Sequence, residues 1–278
     1  MRKAIVVFTR VPKVGEIKTR LTVDRGGIFT PEEAKDFYEA FVLDVIEACI
    51  ASNTGDVWIC YNQAGDRQYF DEFLTRLSAP DKIKGIFADQ GGIFDECIQY
   101  AADYILKDGA EDRLADAMLL IGGDLPCLQP GNIKSAFAKM EQLAKSPAGL
   151  KAAKNKVPGM NYGGALIEGS CQEGGFSIVG FTCNTPFNFR GVFYNQDGMT
   201  ALDMLVEKAS EANIPFGLIA NVPDVDIPVD LASVIPELAA IKLAAKYDPD
   251  IKPAANTISL LEDFGITTTT SVKKRDNL

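Results

Sequence analysis

Short apolar runs rich in β-branched residues alternate with segments of helical period along most of this chain, and that alternation restricts the fold more than any other feature. A continuous apolar run reads as a strand buried on both faces, and helices returning between such strands make the strands parallel. Lys3–Thr9 is the first such run. A loop punctuated by Pro and Gly follows, from Arg10 to about Phe29. Thr30-Pro31-Glu32-Glu33 then marks a helix start, with a hydroxyl cap, Pro in the first turn and Glu three residues after the cap. Ala34, Phe37, Phe41, Val45 and Ala48 keep the helical spacing to about Ile50.

The same reading predicts strands at Asp56–Tyr61, Ile83–Ala88 and Ala117–Ile121, with helices at Arg67–Leu77, Ile93–Leu106 and Asn132–Ala144. The Lys-, Ala- and Pro-rich stretch Lys145–Met160 reads as an exposed loop. Leu166–Ile167 and Gly174–Phe181 read as strands around a Gly-rich turn, followed by a helix at Met199–Ala212, a strand at Phe216–Ala220 and a helix at Asp230–Lys246. The expected fold is α/β, a mostly parallel sheet covered by helices on both faces in a three-layer α/β/α sandwich. Residues 1–246 form one domain. Residues 247–278, with Thr267–Thr270 and Lys273-Lys274-Arg275, make a poor core and are expected to form a C-terminal appendage or mobile tail.

Composition limits the chemistry. The 278 residues include no histidine, so no Ser-His-Asp or Cys-His system and no His-ligated metal can be built. Proton transfer near neutral pH falls to carboxylates, Lys, Tyr, Cys or the substrate, and a metal held mainly by oxygen points to Mg²⁺ or Mn²⁺. The six cysteines form no CxxC pair, and most of them sit in apolar runs and read as reduced core residues. The short apolar N-terminus reads as a strand rather than a signal peptide, and no apolar run nears the ~20 residues of a membrane span, so a cytoplasmic protein is expected. The net charge is −10, yet residues 1–25 carry seven basic side chains against two acidic ones. A small basic loop on an acidic body suits one anionic ligand such as a phosphate ester and argues against nucleic acid.

In open parallel sheets ligands bind beyond the C-terminal strand ends, and four loops there carry unusual residues. Pro12–Leu21 holds Gly15, which permits a tight turn, with Lys18 and Arg20 as cations. It lacks the Walker spacing, and a solvated basic loop explains the same composition. Gly122-Gly123-Asp124 places a carboxylate at the end of an apolar strand, as a cation ligand or as the cap of the turn before Pro126. Gln172-Glu173-Gly174-Gly175 pairs an acid with two glycines, which fits a ligand contact or a hairpin turn. Asn221–Leu231 carries Asp224, Asp226 and Asp230. The first two alternate in extended chain, and Asp230 falls in the first turn of a helix.

Four stretches in order, PKVGEIKTRL, LLIGGDLPCL, EGGFSIVGF and VDIPVDL, resemble the glycosyltransferase-like family of radical-SAM/selenodomain-associated transferases over about residues 3–235. More distantly the chain is similar to 2-phospho-lactate guanylyltransferase and to molybdenum-cofactor nucleotidyltransferases. The resemblance implies the Rossmann-like GT-A fold of nucleotide-diphospho-sugar transferases. It differs at Glu173, where the family has Asp, at Ile227, where it has a helix-capping Thr, and at Phe94 and Glu96, where it has Gly and Arg.

The implied activity is a metal-dependent transfer from a nucleotide-linked substrate, foremost a glycosyltransferase using an NDP-sugar. The alternatives are a nucleotidyltransferase releasing pyrophosphate and a non-catalytic nucleotide-binding protein. Asp124, with Asp224 or Asp226, would hold Mg²⁺ or Mn²⁺. Gly15, Lys18, Arg20, Gly174 and Gly175 would bind the nucleotide-linked ligand, and Lys18, Arg20 and Glu173 would act in catalysis, Glu173 as base or sugar ligand. The partners expected are a nucleotide or nucleotide-sugar and an acceptor of unspecified identity. At this size a homodimer is common.

Overall fold

The computed structural model describes residues 1–155, 160–195 and 198–266. Among them seven strands form one sheet in the order β3-β2-β1-β4-β6-β5-β7. The strands are β1 (Lys3–Thr9), β2 (Asp56–Tyr61), β3 (Ile83–Ala88), β4 (Ala117–Gly122), β5 (Leu166–Ser170), β6 (Phe176–Thr182) and β7 (Phe216–Leu218). β1 pairs in parallel with β2 and β4, β2 with β3, and β5 with β7, while β6 runs against both β4 and β5. The chain is thus a mostly parallel three-layer α/β protein. Its central β1 and β4 are buried at nearly every position, as their unbroken apolar sequences require.

Helix α1 (Pro31–Ser52) begins as its sequence demands: Thr30 Oγ1 accepts the Glu33 N–H at 3.1 Å and Glu33 Oε2 accepts the Thr30 N–H at 2.7 Å. It is buried on almost all sides, and its three inward acids are each held. Glu39 accepts from Lys35, Tyr69 and Arg76, and Glu47 accepts from Ser78 and Lys252. The carboxylate of Asp44 accepts from the N–H groups of Asn256 and Thr257. Helices α2 (Arg67–Leu74), α3 (Phe94–Leu106) and α4 (Pro130–Ala144) follow. α3 and α4 lie on opposite faces: Phe8 of β1 meets Phe94 of α3, whereas Gly180 of β6 lies against Met140 of α4.

Several expectations are corrected. α2 stops at Leu74 instead of Leu77, because Thr75, Arg76 and Leu77 close successive tight turns rather than continuing the helix. Lys145–Met160 is not wholly an exposed loop. Ser146 Oγ caps a short helix, α5 (Pro147–Lys151), and Gly149 is buried against Gly163; residues 156–159 lie outside the described ones. The helices near the C-terminus are α6 (Ala201–Glu211), α7 (Pro228–Ala244) and α8 (Ala255–Asp263). α8 docks on α1 with Thr257 and Leu261 buried, and residues 267–278 lie outside the described ones. No helix among the described residues is long and apolar enough to cross a membrane.

Candidate active site

Because β1 and β4 are parallel neighbours, their C-terminal ends, Thr9 and Gly122, open at the same edge of the sheet. Gly123 is required there: a Cβ on it would stand 2.7 Å from Thr9 Oγ1. The chain then turns to present Asp124. After β1 the loop is pinned by the Val11 N–H donating to Asn62 Oδ1 at 2.6 Å and by buried Ile17 and Leu21. Between those anchors Lys18 adopts a left-handed backbone (φ 47°, ψ 36°), a strained conformation for a residue with a Cβ. Its side chain is thereby turned inward and is only 7% exposed.

Lys18 Nζ donates to Asp124 Oδ2 at 2.7 Å and to Asp226 Oδ1 at 2.5 Å. It also lies over the ring of Tyr38, 5.7 Å from its centre, a cation–π contact. Burial works against its charge, but the two carboxylates outweigh burial and hold the ammonium above the usual lysine range. Asp226 behaves conversely: burial would raise it, yet Lys18 holds its carboxyl below the usual range. Burial and the negative charges of Asp124 and Asp226 push Asp224 up to about 6. Arg20 Nη1 stands 4.0 Å from Asp226 Oδ2 and is largely solvated.

The acidic segment is braced at two points. The Gln172 side chain bonds the Asp224 backbone in both directions, through Nε2 to its carbonyl at 3.2 Å and through Oε1 from its N–H at 3.3 Å. Asp230 Oδ2 accepts the N–H groups of Asp226 and Ile227, both at 2.8 Å. Ile227 offers no side-chain cap to α7, so the carboxylate of Asp230, from the helix's own first turn, takes that place.

Lys18, Arg20, Asp124, Asp224 and Asp226 all line one cavity of about 420 Å³, which lies within the range of small-molecule sites. Gly15, Glu173, Gly174 and Gly175 are not among its lining residues. Gly15 turns the solvent side of the loop at φ 77°, and Glu173 is exposed on a turn between β5 and β6, with positive φ at both Glu173 and Gly174. Glu96 also lies off the wall: its carboxylate accepts the Gly92 N–H at 2.7 Å, bracing the turn before α3. Phe94, by contrast, forms part of the wall.

Sequence reasoning missed Tyr38. Its hydroxyl lies 2.8 Å from Thr9 Oγ1 and accepts the Arg10 N–H at 3.2 Å, and burial pushes the phenol up. In the sequence it is one more aromatic beside Phe37 and Phe41, and no local signal separates it from them. Among the described residues, no group of three or more His, Cys, Asp or Glu side chains stands as a ready-made metal cage; Asp124 and Asp226 both hold Lys18 instead.

Residues 45–196 match the model of a family described as "Uncharacterized protein conserved in bacteria (DUF2064)", and that match spans more than half of the chain. The chain belongs to the DUF2064 family. No curated protein matches this DUF2064 chain. Among solved structures it is similar to a candidate nucleotide-diphospho-sugar transferase from Desulfovibrio desulfuricans G20, with 21% identity, 96% of this chain and 97% of that chain covered, and a TM-score of 0.68. It is also matched to a cytidylyltransferase from Leptospira borgpetersenii serovar Hardjo-bovis, with 13% identity, 98% and 99% covered, and a TM-score of 0.46. The first likeness gives the DUF2064 chain the nucleotide-diphospho-sugar transferase fold.

Proposed function

We propose that the protein is a transferase acting on a nucleotide-linked substrate, and that its reaction is glycosyl transfer from an NDP-sugar. The observation that carries this reading is the meeting of Lys18, Arg20, Asp124, Asp224 and Asp226 in one cavity at the C-terminal ends of β1 and β4. In Pro12–Leu21, the part of the loop after β1 that carries Lys18 and Arg20, Gly15 is the one glycine; this favours glycosyl over nucleotidyl transfer, since nucleotidyltransferases of this fold carry a Gly-rich stretch directly after the first strand.

The donor set fits Mg²⁺ or Mn²⁺. Two carboxylates hold the ammonium of Lys18 and a third, Asp224, lines the same cavity, an excess of negative charge in a partly buried place, and hard oxygen donors are what these ions take. Asp124 and Asp226, with Asp224, would hold the ion, which would supply neutralising charge to a departing diphosphate. Lys18 and Arg20 add fixed positive charge beside the same phosphates. In the transfer the acceptor oxygen bonds to the anomeric carbon as the bond from that carbon to the diphosphate breaks, and the nucleoside diphosphate leaves with the electron pair. The acceptor's proton falls to a carboxylate. Glu173, exposed on the turn between β5 and β6 and outside the cavity lining, is not placed to take it.

A thermal-shift panel of nucleotides and NDP-sugars, with and without Mn²⁺, tests the reading on wild type and Asp124→Asn. A bound nucleotide at a hundred times its Kd adds about 2.7 kcal/mol. That Mn²⁺-dependent gain is expected in wild type and is lost in Asp124→Asn; an equal response in both removes Asp124 from the site. Pyrophosphate released from an NTP and a sugar phosphate would establish nucleotidyl transfer instead.

A further inference from the structure

The cavity has a second half of opposite character. Away from Lys18 its wall passes to Phe8, Phe94, Ile98, Phe176, Val179 and Phe193. Phe94 stands edge-on to Phe8 (5.6 Å, 81°) and to Phe193 (4.6 Å, 82°), and Phe193 meets Phe176 at 5.2 Å. Phe94 is 38% exposed and its neighbour Ile93 46% exposed, so the apolar surface continues outward from the wall.

This wall is held in place by two polar side chains of α3. Asp95, buried at 3% exposure, accepts the N–H of Gly191 at 2.7 Å and of Phe193 at 3.0 Å, fixing the Phe193 segment on the first turn of α3. Gln99 Oε1 accepts the Phe189 N–H at 2.8 Å one turn further on. Two polar side chains of the cavity lining are already engaged: Ser177 Oγ donates to the Gly169 carbonyl, and Thr9 Oγ1 is bonded to Tyr38.

A body rich in hydroxyls would find few partners there. Each hydroxyl buried without one costs about 1–3 kcal/mol. An apolar body instead gains roughly 25 cal/mol for each Å² it removes from water, and aromatic rings at these spacings present both edges and faces. We infer that the apolar half is the acceptor subsite, and that the acceptor is amphipathic: a hydroxyl or phosphate, directed to the Lys18 end, on an aromatic or hydrocarbon body. This inference rests on the proposed function in assigning the charged half to the nucleotide phosphates and in naming the apolar half's ligand the acceptor. Phe94 and Phe193 are its specificity-determining residues.

Calorimetric titration of the full chain tests this with three probes of equal headgroup: phenyl phosphate, geranyl phosphate and glucose 6-phosphate. Wild type, Phe94→Ala and the double variant Phe94→Ala/Phe193→Ala are compared. UDP, GDP, CDP and ADP with Mn²⁺ are titrated in parallel. At least one apolar phosphate is expected to bind wild type about tenfold or more tighter than glucose 6-phosphate, with phenyl against geranyl deciding between aromatic and chain-like bodies. That preference is expected to fall about tenfold in the double variant while the nucleotide that binds wild type keeps its affinity. If the double variant is unfolded by circular dichroism, Phe94→Ala alone decides, since Phe94 is partly exposed and its removal leaves the Phe176–Phe193 contact. Glucose 6-phosphate binding as tightly as the apolar phosphates, absence of apolar-phosphate binding, or affinities unmoved by the substitutions would overturn the inference, whether or not nucleotides bind. Absence of nucleotide binding with the apolar preference intact would overturn the proposed function and leave the subsite standing.

Discussion

Lys18 Nζ lies 2.7 Å from Asp124 Oδ2, although 106 residues of chain separate them. The pair ties the loop after β1 to the end of β4, and Asp226 joins it from a third segment. Lys18 therefore joins the loop after β1 to both acidic segments, with Arg20 reaching only the edge of Asp226.

Replacing it with an uncharged chain of similar length, Lys18→Met, leaves those carboxylates facing one another. Breaking a fully buried pair costs about 3–5 kcal/mol, and since Asp124 and Asp226 keep partial solvent contact the expected loss here is about 1–3 kcal/mol. Urea unfolding at neutral pH measures it. A change within about 0.5 kcal/mol would show that the ion pairs are not maintained in solution.

Asp224 gives the site a pH dependence of definite sign. Its carboxyl is raised from 3.8 to about 6, so the folded protein keeps this proton where the unfolded chain has lost it. The group's contribution therefore falls as pH rises from about 4 to 6, and its penalty is fully present above that window. Asp224→Asn is expected to raise stability at neutral pH by about 1 kcal/mol after allowance for solvent screening, and to change nothing near pH 4. Melting temperatures of both proteins across that range check it; a gain that persists undiminished at low pH would contradict it.

Asp44 caps a helix to which it does not belong. Its carboxylate accepts from Asn256 N and Nδ2 and from Thr257 N, in the first turn of α8. Asp44→Ala is expected to cost about 1–3 kcal/mol, as loss of a buried capping carboxylate does. Hydrogen exchange should show the amides of Asn256 and Thr257 losing protection first. Unchanged exchange there would mean that α8 is held by its apolar contacts alone.

Glu168 is buried in β5 with its Oε2 unpartnered among the described residues, and burial raises its carboxyl. At neutral pH a charge or a tightly held proton in that place costs stability, so Glu168→Met should stabilise the protein by about 1 kcal/mol. A lowered midpoint in denaturant would show that the carboxylate is satisfied in solution by a group such as a buried water.

The legible parts of this fold were those whose cause is local. β1 and β4 are near-continuous apolar runs, and Thr30 with Glu33 states the start of α1 within four residues. α5 and α8 were not legible. Pro147–Lys151 is short and rich in Ala and Gly, and α8 owes its docking to Asp44, more than two hundred residues earlier. At the candidate site, charges at strand ends pointed to Lys18, Asp124, Asp224 and Asp226, which cannot be buried cheaply unless they meet. Tyr38 and the Phe94–Phe193 contact carried no such signal. An aromatic residue on a helix looks like core until tertiary packing shows which face is open.

The cap that Asp44 provides also bears on the order of assembly. A ribosome completes α1 long before it reaches residue 255, so the nascent chain carries Asp44 as a solvated carboxylate on an uncovered helix. Only when residues 255–263 emerge can that carboxylate exchange water for peptide N–H groups, and this side of the molecule therefore closes after the segments from α1 to α7 have been made.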